Sequence, residues 1–164
     1  KGRRAGTENV AGIVGLGVAA AHAAAHMAED AARVTALRDR LIRGALQIPY
    51  SRLTGHPARR LPGIASFCFE AVEGESLILL LDMVHGVAGS SGSACSSGSL
   101  DPSHVLMAIG LSHEVAHGSL RLSLGRYSTD ADVDHILRIL PATVERLRGM
   151  SPLWEDMQKS VRVS

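Results

Sequence analysis

Residues 64–86 read IASFCFEAVEGESLILLLDMVHG, and this stretch decides the fold class of the chain. In residues 64–72 the side chains alternate between two faces, a pattern typical of a β-strand. The segment EGESLILLLDMVH that follows is predicted to form a helix, and Gly86 is a typical helix-ending residue. A strand that leads directly into a helix indicates a mixed architecture. One face of the strand would carry Ala65, Phe67, Phe69 and Ala71, and the other Ser66, Cys68 and Glu70.

A longer helix is predicted ahead of this stretch, from about Asn9 to Gln47, because these residues are rich in Ala and Leu and include no proline. Residues 10–28 are apolar on nearly all sides, so we expect them to be largely buried. The second half is two-faced, which indicates a helix that leaves one domain and enters another. Pro49 is expected to stop it. The inward stripe of the second half comprises Val34, Leu37, Leu41 and Ala45.

Shorter elements are predicted after the central stretch. Asp101 is expected to be the N-cap, and Pro102 the first residue, of a short helix. Together the elements predict an α+β domain with a small, mainly antiparallel sheet flanked by helices. The other predicted elements are a short helix near residues 112–118, a strand at 120–127, a helix from about Thr129 to Gly149 with a kink at Pro141, and a tail at 151–164.

Composition limits the classes of function. The chain has 164 residues, of which 46% are hydrophobic and 20% charged, as in ordinary globular domains. Its net charge of +1 argues against a nucleic-acid partner, which needs a clustered positive field. No apolar run reaches the ~20 residues of a membrane span, so no membrane partner is expected. The two cysteines do not suggest a disulfide framework, and a cytoplasmic location is favoured.

Cys95 lies in the run GSSGSACSSGS, residues 89–99, where no side chain is larger than that of cysteine. Such a run has nothing large to pack and is expected to stay mobile. A thiol on a mobile polar loop can reach a reactive centre and retreat, as a nucleophile or sulfur carrier must. The run is equally compatible with a plain flexible linker that happens to contain a cysteine.

Two further residues have both an ordinary and a functional interpretation. Arg121 lies among leucines in the predicted strand, where an arginine is more commonly a solvated charge at the sheet edge. Its planar guanidinium could also bind a carboxylate through two parallel hydrogen bonds. Thr7 precedes the long helix and could simply be its N-cap. It could also give its hydroxyl to a phosphate at the helix N-terminus, with Arg3 and Arg4 adding positive charge.

Residues 113–117 read HEVAH and match the HExxH pattern of zinc peptidases. Zinc hydrolysis requires two histidines one helical turn apart, a glutamate between them and a third ligand. The predicted helix is short and is followed directly by Gly118, so chance coincidence is favoured. No metal site is predicted.

Several motifs, in register along the whole chain, resemble the C-terminal region of NifS and IscS cysteine desulfurases, which are fold-type I pyridoxal-phosphate enzymes. In that family the cysteine matching Cys95 attacks the sulfur of the substrate. The resemblance implies that Arg121 holds the carboxylate of L-cysteine, and that Thr7 reaches the cofactor phosphate of the neighbouring subunit in a homodimer. The motifs are RRAGTENV (3–10), EAVEGESLILLLD (70–82), SSGSACSSGSLDPSHVL (90–106), AHGSLRLSLGRYSTDADVD (116–134) and RLRGMSPLW (146–154).

The resemblance also implies a division of the chain. Residues 1–27 would be the end of the cofactor-binding large domain, and residues 28–164 the small domain that carries the Cys95 loop, joined by the long interdomain helix. The Schiff-base lysine of the family lies in a Ser-Gly-His-Lys segment, and neither Lys1 nor Lys159 has that context. We therefore expect this chain to be the C-terminal portion of a longer protein.

The implied activity of the parent protein is conversion of L-cysteine to L-alanine, with a persulfide on Cys95 passed to an iron–sulfur scaffold or another sulfur acceptor. Two alternatives stay open. One is a non-enzymatic C-terminal docking or structural module, and the other is a selenocysteine lyase, which shares the fold. A Ser-Gly-His-Lys segment encoded ahead of Lys1 would favour the enzyme.

Overall fold

The structure is a computed structural model that describes residues 6–91 and 102–163. Its sheet has three antiparallel strands in the order β1-β2-β3, and the helices surround it, which confirms the predicted α+β class. The elements are α1 (Val10–Ala45), β1 (Ser51–Leu53), β2 (Ile64–Phe69), α2 (Gly74–His85), α3 (His104–Ala108), α4 (His113–His117), β3 (Ser119–Ser123), α5 (Asp130–Arg148) and α6 (Pro152–Val163).

β2 is the central strand, and both of its faces are covered. Ala65, Phe67 and Phe69 are fully buried in the main core, where they lie with residues of α1, α2 and α5. This confirms the shared face predicted for Ala65, Phe67 and Phe69, whereas Ala71 lies beyond the end of β2. The opposite face is not open, because Cys68 is also fully buried, in a smaller cluster with Leu106 of α3 and Ala116 of α4. A strand packed on two sides in this way forms the middle layer of the domain.

The long helix α1 is confirmed, but only its second half is buried. Val34, Leu37, Leu41 and Ala45 are each at most 5% exposed, as the predicted stripe requires. The prediction that residues 10–28 are largely buried is wrong for this chain, since all of them are exposed. The reason is geometric. The described part of the sheet and α5 pack against the second half of α1, so its first half projects past them.

α1 also corrects the expectation about membrane spans. An 18-residue window of this helix has a mean hydropathy of 1.5, so it could cross a membrane by length and composition alone. A single such helix near the start of a chain is weak evidence for a span.

Other boundaries differ from prediction at specific residues. The short helix after the Cys95 run begins at His104, with Ser103 at its N-cap position, so Pro102 is not its first residue. Asp101 lies outside the described residues. The predicted tail instead forms α6, and the short strand β1 was not predicted. Both depend on contacts with distant residues, such as Tyr50 against Trp154 at 5.4 Å between ring centroids.

α5 begins where local sequence signals place it. Thr129 and Asp132 form a capping box, in which each side chain bonds the backbone N–H of the other residue. The helix continues through Pro141 to Arg148. Arg40 of α1 forms ion pairs with Asp130 and Asp134, which attach the first turns of α5 to the buried half of α1.

Gly118 allows β3 to lie close to β2, and we expect its replacement by alanine to destabilise the domain. A Cβ atom at this position would overlap the carbonyl oxygen of Phe69, while Phe69 N donates to Gly118 O at 2.9 Å. Overpacking of this kind costs about 1–3 kcal/mol of unfolding free energy. Thermal denaturation should show a clearly lower Tm for Gly118→Ala. Gly125→Ala is the matched control, since no described atom beyond its two chain neighbours lies within 4 Å of its Cβ position. Equal Tm values would contradict the expectation.

Candidate functional site

Arg121 occupies the middle of β3, opposite Ser66 of β2. Its neighbours Leu120 and Leu122 are buried in the core, so by the alternation of a strand the Arg121 side chain points to the other side, where it is exposed. Within the described residues no carboxylate forms an ion pair with it. The guanidinium thus carries a charge that a ligand carboxylate could neutralise.

Ser90 is joined to Arg121 by a local strand-like pairing. Arg121 N donates to Ser90 O at 2.6 Å, and Ser90 N donates to Arg121 O at 3.0 Å. The guanidinium Nη2 donates to Ser90 Oγ at 3.3 Å. Sequence reasoning singled out Arg121 and the Cys95 run separately and missed Ser90, which lies within that run. The pairing links two sequence candidates, because Cys95 is five residues along the chain from Ser90.

A row of polar side chains crosses the sheet at the level of Arg121. Thr54, just after β1, donates its hydroxyl to Ser66 Oγ at 2.7 Å, and its N–H donates to Ser66 O at 2.8 Å. Ser66 is the Cα partner of Arg121, which is in turn paired with Ser90. Thr54, Ser66, Arg121 and Ser90 therefore come from four chain segments that lie side by side across the sheet.

Cys95 lies outside the described residues, whereas Cys68 is described and is not suited to nucleophilic chemistry. Cys68 is fully buried between Leu106 and Ala116. Burial raises the pKa of the Cys68 thiol to about 11, although the charge of Arg52 acts in the opposite direction. Since the thiolate is the reactive form, Cys68 should be chemically inert near neutral pH.

We expect Cys68 to escape alkylation in the native protein at pH 7.5. A thiol with a pKa of about 11 is less than about 0.1% ionised at that pH, and its burial also blocks the reagent. Peptide mass spectrometry after iodoacetamide treatment would measure the modification, with the same reaction in urea as the control. Rapid native labelling of Cys68 would contradict the buried assignment.

Thr7 lies at the exposed end of α1 and is not its N-cap. That position belongs to Asn9, whose side chain accepts from Gly12 N at 3.0 Å. Val34 is the first buried residue of α1 and lies 24 positions after Val10, a rise of about 36 Å at 1.5 Å per residue. The described chain therefore does not bring Thr7 and Arg121 together.

Among the described residues, those around Thr7 fit one end of a pyridoxal-phosphate cofactor, its phosphate. Thr7 is an exposed hydroxyl residue beside a helix N-terminus, and Gly6 precedes it with a φ of 86°, so the donor chemistry suits a phosphate. Lys159 does not suit a Schiff base. It is 72% exposed on α6 and is within 4.0 Å of the carboxylates of Glu155 and Asp156.

The HEVAH segment forms α4, a helix of five residues. The rings of His113 and His117 approach each other edge to face, with centroids 4.6 Å apart. Among residues 6–91 and 102–163, no three His, Cys, Asp or Glu side chains are grouped so that they could hold a metal ion.

Comparison with known proteins identifies the family. The family model Aminotransferase class-V matches residues 1–136. Cysteine desulfurase IscS 1 of Archaeoglobus fulgidus is 56% identical over 154 residues, which cover 94% of this chain and 40% of that protein. Cysteine desulfurase NifS of Azotobacter vinelandii is 50% identical over 155 residues, which cover 94% of this chain and 38% of that protein.

Solved structures agree with the sequence comparisons. A NifS-like protein superimposes with a TM-score of 0.76 and 30% identity, covering 89% of this chain and 36% of its own. A NifS-like protein from Rickettsia africae gives a TM-score of 0.75 and 25% identity, over 87% and 36%. The chain thus spans about two fifths of the length of the curated relatives it matches. Since the family model covers well over half of the residues, the chain belongs to the aminotransferase class-V family.

Proposed function

We propose that the whole protein is a pyridoxal-phosphate-dependent cysteine desulfurase, which converts L-cysteine to L-alanine and holds the released sulfur as a persulfide on Cys95. The observation that carries this proposal is the pairing of Arg121 with Ser90. The pairing places an exposed cation, suited to a substrate carboxylate, next to the first residues of the run that contains Cys95. The named relatives, at 50% identity or more, support the same activity.

Arg121 is the proposed binding group for the carboxylate of L-cysteine. A guanidinium offers parallel N–H donors that match the two carboxylate oxygens. Its backbone is held on both sides, by Ser66 of β2 and by Ser90, so the base of the side chain is fixed. The substrate would be oriented by this contact, with its sulfur available to the thiolate of Cys95.

The sulfur-transfer step can be written with atoms and electrons balanced. The thiolate of Cys95 attacks the substrate sulfur, an S–S bond forms and the Cβ–S bond of the substrate breaks. The electron pair of that bond stays on the substrate carbon framework, which takes up a proton at Cβ to give alanine. Pyridoxal phosphate, when bound, supplies the electron sink for this pair. The net change is transfer of one sulfur atom from L-cysteine to the thiol of Cys95.

The proposed assembly is a homodimer in which Thr7 contributes to the phosphate site of the neighbouring subunit. Its support is the projection of α1, because Thr7 precedes Val10 and the helix rises about 36 Å from Val10 to its first buried residue, Val34. The proposed division at residues 27 and 28 is supported by the burial pattern, because every residue of α1 before Asp30 is exposed. The exposed apolar half would then belong to the large domain.

An iron–sulfur scaffold or a similar thiol protein is the proposed sulfur acceptor, and the cytoplasm the proposed compartment. A persulfide passes its outer sulfur to another thiolate, so both partners need reduced cysteines. A reducing compartment keeps cysteines in that state.

The test uses the full-length protein loaded with pyridoxal phosphate and incubated with L-cysteine. We expect alanine to form with L-cysteine, and a mass increase of one sulfur atom on the peptide that contains Cys95. L-selenocysteine in a parallel reaction separates the lyase alternative, since a lyase would strongly prefer it. Absence of alanine from both substrates, despite bound cofactor, would favour the non-enzymatic docking or structural module.

A further inference from the structure

We infer that Ser90 is a positioning residue for Arg121, holding its guanidinium in the orientation that receives the substrate carboxylate. The inference rests on the proposed function, because it assumes that Arg121 binds that carboxylate. Ser90 itself binds no substrate in this proposal and acts through its contacts with Arg121.

The Ser90 hydroxyl takes part in two hydrogen bonds, one as donor and one as acceptor. The Ser90 hydroxyl donates to Ser91 O at 3.0 Å. Its single proton is used there, so the lone pairs of Oγ are left to accept from Arg121 Nη2 at 3.3 Å. Arginine has five N–H donors. One nitrogen is thus restrained by Ser90, while donors on the rest of the fork stay available to a carboxylate.

The backbone of Ser90 is restrained by its hydrogen bonds to β3. It exchanges two hydrogen bonds with Arg121, at 2.6 and 3.0 Å. Gly89 lies so close to β3 that a Cβ atom there would be 2.9 Å from Leu120 Cδ1. A hydroxyl on such a restrained backbone can hold a long side chain with little further loss of freedom.

The segment that contains Ser90 is also attached to the end of α2. Gly86 ends the helix in the left-handed conformation, with a φ of 65°, and its N–H bonds Asp82 O at 3.0 Å. Val87 N then donates to Leu81 O at 2.9 Å. Ser90 follows within four residues of this cap. The position of Ser90, and with it the orientation of Arg121, therefore depends on the end of α2, which packs on the core through Leu77 and Leu81.

The test compares Ser90→Ala, Ser90→Thr and the control Ser123→Ala in the full-length protein loaded with pyridoxal phosphate. Ser123 lies two residues from Arg121 on the same exposed side of β3. Cofactor absorbance is titrated with L-cysteine and with cysteamine, which is L-cysteine without the carboxylate. Ser90→Ala should weaken L-cysteine affinity by about threefold to tenfold, as expected for the loss of one ordinary intramolecular hydrogen bond, and leave cysteamine affinity unchanged.

Ser90→Thr keeps the hydroxyl and should restore the affinity for L-cysteine, while Ser123→Ala should match the unaltered protein. In steady state, KM for L-cysteine should rise in Ser90→Ala with little change in kcat. Equal loss of affinity for both ligands would indicate a general structural role and would overturn the inference. So would an unchanged L-cysteine affinity in Ser90→Ala.

Arg121→Ala provides the reference that separates this inference from the proposed function. If Arg121→Ala lowers the preference for L-cysteine over cysteamine but Ser90→Ala does not, the positioning role alone is overturned. If Arg121→Ala leaves that preference unchanged, the carboxylate assignment fails and the positioning role fails with it. The double variant should behave as Arg121→Ala does, since Ser90 acts through the arginine.

Discussion

Cys95→Ser in the full-length protein is expected to abolish alanine formation from L-cysteine. A serine hydroxyl is not ionised at neutral pH and cannot form the S–S bond that stores the sulfur, so the proposed transfer step has no acceptor. Cofactor absorbance should still respond to L-cysteine, because the change leaves Arg121 intact. Alanine release and the cofactor spectrum, followed in one reaction, measure the two effects.

Cys68→Ala is the matched control for this experiment. Cys68 is fully buried beside Leu106 and Ala116, and its thiol has a pKa raised to about 11, so it should take no part in turnover. The control tests stability as well, because loss of a buried side chain leaves a small cavity. Retained activity in Cys95→Ser, or loss of turnover in a folded Cys68→Ala protein, would show that the nucleophile is assigned to the wrong cysteine.

Arg121→Ala should lower kcat/KM for L-cysteine by about thirtyfold or more. Removing one partner of an enclosed charge pair costs about 2–5 kcal/mol, and each ~1.4 kcal/mol is tenfold. Arg121 is exposed in the chain described here. A fully solvated pair would be worth at most about 1 kcal/mol, so a loss of thirtyfold also implies that the rest of the protein encloses the substrate.

Arg121→Lys should recover only part of the lost activity. Lysine keeps the charge but replaces the planar fork with a point charge, so a bidentate contact becomes a single one. Steady-state alanine formation against L-cysteine concentration measures both variants, with cofactor absorbance as the check on cofactor loading. Unchanged kinetics in the alanine variant would leave Arg121 as a solvated strand residue.

Local signals were enough to predict the elements that carry them. Glu73 accepts from the N–H groups of Glu75 and Ser76, and Gly86 adopts the left-handed conformation, so both ends of α2 are determined within a few residues. The capping box of Thr129 and Asp132 begins α5 in the same way. These interactions need no distant partner, because a helix end satisfies its free N–H and C=O groups with its neighbours in sequence.

Candidate residues could likewise be selected from the sequence, but their surroundings could not. Arg121 stood out by its charge among leucines and Cys95 by the small residues around it. The role of Ser90 could not be seen, because its pairing joins positions 31 residues apart. A serine in a run rich in serine carries no signal that distinguishes it from its neighbours.

By itself the sequence determined the helices with clear caps, the central strand, the inward stripe of α1 and the family resemblance, since each of these is encoded in short-range patterns. Only the tertiary structure decided that β1 pairs with β2, that residues 152–163 form a helix, and that Cys68 is buried on the second face of the sheet. It also decided that residues 10–28 are exposed in this chain. Burial and strand pairing depend on which residues, distant in sequence, pack against a given surface. Apolar composition alone does not determine whether such residues are present.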